Sequence, residues 1–342
     1  MTSAAADMAA ERSSTSTSPT PVVSPIAALG APTAGDLAGQ GSTLEPDVST
    51  PLARAIEAEL RVRKGLRYHD ELPRPERTRV MVVGNQKGGV GKTTSTVNLA
   101  VALAQQGQRV LVVDLDPQGN ASTALSIDHR RGTPSTYDVL VDGTPVSEVV
   151  QQHDDLANLW VVPATIDLAG AEIDLVSVVA RESRLRKALA AYPRIGGAEA
   201  GDDRLDYVLI DCPPSLGLLT LNALVAGVEM LIPIQAEYYA LEGLGQLLET
   251  VEMVRQHLNV DLEVSTILIT MYDSRTNLAA GVAAEVREHF GDRVLKTSVP
   301  RSVRVSEAPS YGQSVMTYDP GSPGALSYFE AAREIAVKGA DA

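Results

Sequence analysis

One stretch of the chain, residues 80–94, limits the possible folds more than any other. It reads V-M-V-V-G-N-Q-K-G-G-V-G-K-T-T. The β-branched run at its start predicts a short buried strand that stops at Gly84, and the apolar residues that follow Thr94 recur at helical spacing. A strand, a glycine-rich turn and a helix in this order are typical of a loop that cradles phosphates. The plainer alternative is a glycine-rich surface turn before an ordinary helix.

The residues of this loop have the chemistry that a polyphosphate needs. Gly88, Gly89 and Gly91 let the backbone turn its N–H groups inward without a Cβ in the way. Lys92 is expected to lie along the β- and γ-phosphates, and the Thr93 hydroxyl is expected to complete the shell of a Mg²⁺ ion.

The loop departs from the standard phosphate-binding spacing at one position. The pattern G-x-x-x-x-G-K-[ST] requires glycine at position 86, and Gln86 stands there instead. What remains is K-G-G-V-G-K-T, with an additional lysine, Lys87, at its head. This is the deviant Walker A pattern.

Two further apolar runs end in carboxylates. Asp114 closes V-L-V-V-D, and Asp116 follows two residues later in D-P-Q-G-N. Asp211 closes Y-V-L-I-D, the arrangement of a Walker B motif, which holds Mg²⁺ directly or through water. Carboxylates beside a polyphosphate require a cation to offset their repulsion, unless one of them orients water. For the Asp114–Asp116 region a helix cap and turn is an equal alternative.

The composition excludes several classes of protein. The 342 residues are enough for one large α/β domain with extensions, and the 44% hydrophobic fraction supports a sizeable core. The single cysteine, Cys212, excludes a disulfide framework and a multi-cysteine cluster, and fits a reducing cytosol. Cys212 is expected to be a small buried residue rather than a nucleophile.

The net charge of −14 argues against a generally adhesive nucleic-acid binder, although a local basic patch stays compatible with it. No signal-peptide pattern begins the chain and no apolar stretch is long enough to span a bilayer, so we expect a cytoplasmic protein without stable membrane insertion.

The sequence predicts three segments. Residues 1–50 are rich in Ala, Ser, Thr, Pro and Gly, which predicts a disordered tail. Residues 51–78 predict a helical arm and a linker, because Leu52, Ile56 and Leu60 recur at helical intervals and prolines follow at 73 and 75. The arm is either a helix docked on the main domain or a contact for a partner or DNA. Residues 79–342 predict the phosphate-binding domain.

From residue 79 onward, strand and helix patterns alternate. This alternation predicts an α/β fold, a doubly wound and mostly parallel sheet with helices on both faces. Because ligands bind at the carboxyl ends of the strands in such a sheet, the three motifs are expected to meet there. The predicted strands are Val80–Val83, Val110–Asp114, Leu159–Val162, Tyr207–Asp211, Glu229–Pro233, Val264–Thr270 and Val294–Ser298. The clearest predicted helices are Lys92–Gln106, Leu216–Ala226, Leu241–Gln256, Leu278–Phe290 and Pro323–Val337.

Four motifs together resemble those of the bacterial ParA/Soj chromosome-partitioning ATPases, a deviant Walker A branch of the P-loop NTPases. They are K-G-G-V-G-K-T-T, V-D-L-D-P-Q-G-N, L-I-D-C-P-P-S-L-G and P-R-S-V-R-V-S-E-A-P-S-Y-G. The similarity covers roughly residues 79–338, and the last motif, from Pro300 to Gly312, is specific to the ParA/Soj branch. The resemblance implies that residues 79–342 form an ATPase domain whose cofactors are ATP and Mg²⁺.

The resemblance also implies a role for individual residues. In the family two subunits sandwich two ATP molecules, and the lysine matched by Lys87 reaches across to the partner's phosphates. Asp116 matches the aspartate that positions the attacking water, so the implied catalytic residues are Lys87, Lys92 and Asp116. The implied metal-side residues are Thr93, Asp114 and Asp211. The implied nucleotide-binding residues are Gly88, Gly89, Val90, Gly91, Lys92, Thr93, Thr94, Met271, Pro300 and Arg301.

The implied partners are a second copy of the chain, DNA and a ParB-type protein. In the family the ATP-bound homodimer binds double-stranded DNA of any sequence, and the ParB-type partner stimulates slow hydrolysis and release, which implies a location on the nucleoid. Arg275 matches one DNA-contacting position, whereas Glu252 stands where the family is often basic, with Arg255 nearby. The candidate DNA contacts are therefore Arg255, Arg275, Arg287 and Arg304, and an ordinary solvated face is the alternative for any one of them.

The sequence argues against two other functions of related ATPases and leaves a third open. A membrane-associated positioning ATPase of the MinD type ends in a basic amphipathic helix, whereas the end of this chain, Y-F-E-A-A-R-E-I-A-V-K-G-A-D-A, has few large apolar residues and mixed charge. A redox ATPase with a metal cluster needs cysteines beyond Cys212. A ParA-like protein that positions a cargo other than DNA stays compatible with the sequence.

Overall fold

The sheet at the centre of this computed structural model has the strand order β3-β4-β2-β5-β1-β6-β7-β8. The structure describes residues 72–237 and 240–340. The pairs are parallel except for the β3–β4 pair at one edge, which is antiparallel. The strands are β1 (Arg79–Val83), β2 (Val110–Asp114), β3 (Gln151–Gln152), β4 (Leu159–Val162), β5 (Tyr207–Asp211), β6 (Glu229–Gln235), β7 (Glu263–Tyr272) and β8 (Val294–Pro300).

Helices connect the strands and cover both faces of the sheet. The α-helices are α1 (Lys92–Gln105), α2 (Asn120–Ala124), α3 (Val146–Val149), α4 (Ala171–Asp174), α5 (Arg184–Ala190), α6 (Leu218–Ala226), α7 (Ala240–His257), α8 (Asn277–Phe290), α9 (Val303–Glu307), α10 (Val315–Tyr318) and α11 (Pro323–Ala340). Short 3₁₀ or π turns lie at Asp138–Asp142, Ile166–Gly170, Leu175–Ser177, Arg181–Ser183, Ala198–Ala200, Gly291–Arg293 and Ala308–Tyr311.

The central strands are hydrophobic on both faces because both faces are covered. On β1, Val80 and Val82 pack into the core that also contains the apolar residues of α5, α6, α7 and α8. Met81 and Val83 point to the other side, into the core formed with α1 and α11. Successive side chains of a strand point to opposite faces, so a parallel strand between two helical layers must be apolar at every position. The predicted doubly wound α/β fold is confirmed.

The predicted strands are all present, and the long ones extend by one or two residues beyond their predicted ends. The predicted helix Leu216–Ala226 begins later, at Leu218, because Gly217 is its N-cap in an extended conformation. The short strand β3 and the short helices between residues 120 and 175 were not predicted. Segments of two to five residues show no measurable periodicity, so no sequence pattern marks them.

The segment 72–78 lies against the amino-terminal ends of the strands. Leu72 is buried, and the Gln108 side-chain amide donates to its carbonyl at 2.9 Å. Arg74 donates to the buried Asp206 carboxylate at 2.8 Å, and Arg204 donates to the carbonyl of Pro75 at 2.5 Å. The prolines at 73 and 75 therefore belong to a fastened segment. The predicted tail and the helical part of the predicted arm, residues 1–71, lie outside the described residues, so the three-segment division stays a prediction.

No helix within residues 72–237 and 240–340 is both long and apolar enough to cross a membrane. The apolar side of α11, including Tyr328 and Ile335, packs into the core beside α1.

Gly227 provides a test of the packing at the centre of the sheet. It ends α6, and a Cβ built on it would lie 2.3 Å from Cγ2 of the fully buried Val82. Overpacking of this kind costs about 1–3 kcal/mol. We therefore expect Gly227→Ala to lower the free energy of unfolding by that amount in urea titrations followed by circular dichroism.

The matched control is Gly281→Ala in α8. Within the part of the chain that the structure describes, a Cβ at this exposed position meets no atom within 4 Å. The exchange should therefore raise the free energy of unfolding by about 0.5–1 kcal/mol through helix propensity. Equal stabilities of Gly227→Ala and the unchanged protein would contradict the packing.

Candidate nucleotide-binding site

The register of three adjacent strands brings the sequence motifs together. Val83, the last residue of β1, lies opposite Asp211 on β5, and Asp211 lies opposite Asp114 on β2. The glycine-rich loop leaves β1 one residue after Val83. The loop and both strand-terminal carboxylates are therefore side by side at the carboxyl edge of the sheet, where α/β folds bind ligands.

At two positions the loop has a backbone conformation, with positive φ, that only glycine adopts easily. Gly89 has φ +74° and Gly91 has φ +89°, a region that is strained for residues with a Cβ. Gly91 is also the N-cap of α1, so the N–H groups of the first helical turn lie next to the loop. At Gly88 and Gly89 an added Cβ would meet no atom of the described residues within 4 Å. The space beside these two glycines is open to a ligand.

Side chains from neighbouring strands hold the loop in place. The Asn85 amide donates to the carbonyl of Pro233 on β6 at 2.8 Å, and its Oδ1 accepts from the N–H of Lys87 at 3.0 Å. The Thr270 hydroxyl on β7 donates to the carbonyl of the buried Val90 at 2.8 Å. The chain's own hydrogen bonds therefore hold the loop in place.

The two lysines of the loop have different surroundings. Lys92 is buried, and its Nζ donates to the carbonyl of Lys87 at 3.2 Å, across the loop. Burial lowers the pKa of Lys92, and the nearby Asp211 opposes this shift. Lys87 instead extends outward, with 38% of its side chain exposed and its Nζ 3.1 Å from Oε2 of Glu237. Lys92 thus belongs to the inside of the cradle and Lys87 to its outer surface.

Asp114 is fully buried, and its oxygens are already engaged. Oδ1 accepts from the N–H of Asp116 at 3.1 Å. Oδ2 accepts from the N–H of Ser122 at 2.9 Å and from its hydroxyl at 2.7 Å. Burial raises the pKa of Asp114 to about 6, and the hydrogen bonds from Ser122 oppose that shift. Asp114 therefore orders the turn after β2. Its expected role beside the metal ion stays a prediction.

Asp211 differs from Asp114 because one of its oxygens has no partner. Oδ1 accepts from the Thr96 hydroxyl at 3.0 Å, but the same hydroxyl is also 3.1 Å from the carbonyl of Lys92, and its one proton serves only one of the two at a time. Oδ2 is buried without a hydrogen-bond partner among the described residues. Burial and the neighbouring Asp114 raise the pKa of Asp211 to about 8.

The unpartnered Oδ2 of Asp211 fits a cation at this place, since a buried carboxylate oxygen is costly unless something compensates it. The residues described here contain no cluster of three or more His, Cys, Asp or Glu that could hold a metal ion. A hard cation such as Mg²⁺ would therefore need phosphate and water oxygens in addition to Asp211 and the Thr93 hydroxyl, which is how Mg²⁺ is usually held.

Asp116 lies in the turn after β2, nearly buried at 8% exposure. Its Oδ1 accepts from the N–H of Gln118 at 3.0 Å, and its carbonyl accepts from the N–H of Gly119 at 2.8 Å. The side chain thus helps to form the turn, which is the plainer of the two roles that the sequence offered for this region. Its water-positioning role stays a prediction. Cys212 is buried, and burial together with Asp211 raises the pKa of its thiol, which makes it a poor nucleophile.

The residues expected to enclose the base come together at the ends of β7 and β8. Met271 has φ +50°, an uncommon conformation for a side-chain-bearing residue. Tyr272 pairs with Pro300, and the N–H of Arg301 donates to the carbonyl of Tyr272 at 3.1 Å. The hydrogen bond from Thr270 to Val90 links this group to the phosphate loop.

The four candidate DNA contacts do not form one cluster. Helix α7 runs from the carboxyl ends of the strands back to their amino ends, so Arg255 in its last turn lies at the opposite end of the sheet from Arg275, which follows β7. Arg287 lies in the last turn of α8 and donates to the Ser298 hydroxyl at 2.9 Å.

Three of these arginines are paired with carboxylates of the same chain. Arg275 donates to both oxygens of Asp273, at 2.9 and 2.8 Å, and this pairing lowers the pKa of Asp273 to about 2. The remaining pairs are Arg255 with Glu252 at 3.6 Å, Arg304 with Glu307 at 3.3 Å and Arg304 with Asp319 at 3.5 Å. These partners reduce the positive potential of each arginine.

Several residues that contact the site were missed from the sequence. Thr96, Ser122 and Glu237 each bind a motif residue but stand outside every motif. Thr96 lies three residues after Thr93 on the same face of α1, which is a usable signal. Glu237 is 150 residues from Lys87, and no sequence pattern points to their contact.

The chain matches a family described as an AAA domain over residues 78–264. It is 51% identical to the sporulation initiation inhibitor protein Soj of Bacillus subtilis (strain 168) over 261 residues, which cover 76% of this chain and 99% of Soj. It is 50% identical to the chromosome partitioning protein ParA of Myxococcus xanthus (strain DK1622) over 257 residues, which cover 75% of this chain and 87% of that protein. A solved structure of cobyrinic acid a,c-diamide synthase from Mycobacterium smegmatis, with bound ADP and magnesium, superposes with a TM-score of 0.61 at 39% identity and covers 75% of this chain and 92% of that one.

The raised pKa of Asp211 predicts a pH-dependent stability in the absence of nucleotide and Mg²⁺. A carboxyl group with a pKa near 8 when folded and about 4 when unfolded binds more protons in the folded state between these values. The free energy of unfolding should therefore fall as the pH rises through this window, with a contribution of up to about 1.4 kcal/mol per pH unit.

The measurement is urea unfolding at pH 5, 6.5 and 8 of the unchanged protein and of Asp211→Asn. The variant keeps the shape but cannot ionise, so its stability should fall less steeply as the pH rises. Parallel slopes for the two proteins would show that Asp211 does not titrate in this range.

Proposed function

Since this chain belongs to the ParA/Soj family of chromosome-partitioning ATPases, we propose that it is an ATP-driven switch that acts on DNA. Binding of ATP joins two copies of the chain, and the dimer binds double-stranded DNA without sequence preference. Hydrolysis, stimulated by a ParB-type partner, separates the copies and releases the DNA. Repeated cycles would segregate a chromosome or plasmid on the nucleoid.

The observation that carries this proposal is the different placement of the two lysines. Lys92 lies over the loop, whereas the Lys87 ammonium extends away from it and is partly exposed. An exposed cation at the rim of a phosphate site can meet the phosphates of a second molecule. Because a cation buried at a subunit interface is costly unless an anion meets it, the triphosphate of a partner would make dimerisation depend on ATP.

The residues of one protomer divide the remaining work. Lys92 and the N–H groups of the loop bind the phosphates, while Asp211 and Thr93 hold Mg²⁺, an ion that is present with ADP in the related mycobacterial structure. Bound Mg²⁺ neutralises phosphate charge during transfer. The Asp116 carboxylate accepts one hydrogen bond, from the N–H of Gln118 in its own turn, and in the proposed reaction it orients the attacking water. Met271, Pro300 and Arg301 enclose the adenine.

Weak DNA contacts suit such a switch in a protein with a net charge of −14. A monomer offers a few scattered arginines, three of them paired with carboxylates. A dimer doubles the contacts, and the free energies of separate phosphate contacts accumulate. The affinity for DNA would therefore depend on the nucleotide through the oligomeric state.

The first test is retention of the full chain on arbitrary duplex DNA with ATP, with ADP and without nucleotide. We expect retention with ATP only. For about six phosphate contacts in the dimer, three from each copy, the affinity should fall by about 10³-fold between 50 and 200 mM salt. ATP-dependent dimers that bind no DNA in any state would support a family member that positions another cargo, and binding that ignores the nucleotide would contradict the switch.

A second test addresses hydrolysis. Asp116→Ala removes the carboxylate that orients water, so the turnover number should fall by about 10²-fold or more, and the ATP-bound dimer should stay on DNA. Asp155→Ala, an exposed aspartate away from the loop, is the matched control and should keep the normal turnover. Unchanged hydrolysis in Asp116→Ala would exclude the water-positioning role.

A further inference from the structure

Lys87 is held by a carboxylate of its own chain. Its Nζ lies 3.1 Å from Oε2 of Glu237, which follows the end of β6. The other oxygen, Oε1, accepts from the Gln235 amide at 2.5 Å and lies 3.8 Å from a guanidinium nitrogen of Arg301. One carboxylate thus connects the outward lysine of the phosphate loop with an arginine of the base site.

Both halves of this ion pair are fastened to the end of the same strand. The backbone N–H of Glu237 donates to the carbonyl of Gln235 at 2.8 Å. On the other side, Asn85 connects the N–H of Lys87 to the carbonyl of Pro233. The pair is therefore preorganised, although both side chains are partly exposed, at 38% for Lys87 and 45% for Glu237.

We propose that Glu237 is a positioning residue that holds Lys87 within its own subunit until the phosphates of a second subunit replace it. This inference rests on the proposed function, in which Lys87 reaches the partner's nucleotide. Each protomer must then exchange one internal ion pair for an intermolecular one when the dimer forms. Glu237 sets the threshold that the incoming anion has to exceed.

The strength of the pair suits such a threshold. Exposed ion pairs are weak, equivalent to at most about a 5-fold change in an equilibrium constant. Two pairs break in each dimer, so the opposition amounts to at most about 25-fold in the dimer dissociation constant. A triphosphate carries more charge than a diphosphate, so it overcomes this opposition more readily. Glu237 opposes every dimer by the same factor, so it would keep the weaker dimers, with ADP or without nucleotide, below a detectable population while the ATP dimer still forms.

The test is sedimentation velocity of the full chain with Mg²⁺ and a non-hydrolysable ATP analogue, and separately with ADP. We expect Glu237→Gln to lower the dimer dissociation constant by about 5- to 25-fold with the analogue, and to make dimers detectable with ADP. Glu252→Gln breaks a comparable exposed pair, with Arg255 in α7, and should leave both values unchanged.

Two further measurements separate positioning from simple stabilisation. On a Lys87→Ala background, Glu237→Gln should have no effect on dimerisation, because its effect passes through Lys87. The urea midpoint of the Glu237→Gln monomer should fall only by the small amount typical of one exposed ion pair, and a larger drop would contradict a role confined to Lys87.

The proposal is overturned if Glu237→Gln leaves the dimer dissociation constant unchanged or raises it. It is equally overturned if the tightening persists without Lys87. A failure of the proposed function gives a different result, because the unchanged protein would then form no dimer with the ATP analogue at all.

Discussion

The parallel pairing of β1, β5 and β2 is the constraint on which the candidate site depends. It sets Val83, Asp211 and Asp114 abreast, so the loop that follows β1 begins beside two carboxylates. These strands are fully buried apart from the first residue of β1, and a slip of one residue would turn every side chain to the opposite core. Hydrophobic packing therefore positions the polar groups with the precision that phosphate chemistry requires.

The polar groups at this edge form an incomplete set. Asp114 is satisfied by Ser122 and by the turn after β2. Among the residues that the structure describes, Oδ2 of Asp211 is buried without a hydrogen-bond partner, and the buried Lys92 ammonium group donates to a carbonyl while Asp211 lies nearby. A buried oxygen without a hydrogen bond and a buried ammonium group are both costly. An anionic nucleotide together with a divalent cation would compensate both at once. Burial of these groups thus carries an electrostatic free-energy cost, which binding of the nucleotide and cation would reduce.

The part of the fold that follows from local pattern was predictable from the sequence. Runs such as V-L-V-V-D and Y-V-L-I-D mark buried strands by composition alone, and all seven predicted strands exist. The motif residues of the loop were found in the same way, since spacing encodes their local geometry. Their roles in binding and hydrolysis stay predictions, because a role depends on where the bound nucleotide lies, and no local sequence pattern encodes that position.

Contacts between residues distant in sequence could not be predicted from the sequence. The fastening of segment 72–78 depends on Asp206 and Arg204, more than 120 residues away, and two prolines alone suggested a linker. The pair of Lys87 and Glu237 is hidden in the same way. The four candidate DNA-contacting arginines were chosen by charge, but the carboxylates beside three of them become visible only in three dimensions.

The arginine–carboxylate pairs have a consequence for how an acidic protein would bind DNA. A phosphate that approaches Arg275 must compete with the bidentate hydrogen bonds to Asp273, so each contact is weaker than that of a free arginine. Weak contacts would suit the proposed switch, because the sum over one protomer would stay below the threshold for retention on DNA while the sum over two would exceed it. The proposed mechanism applies the same logic to Lys87, since its internal partner Glu237 would have to be displaced before Lys87 served a second subunit. In both places an intramolecular carboxylate would make the interaction depend on a second copy of the chain.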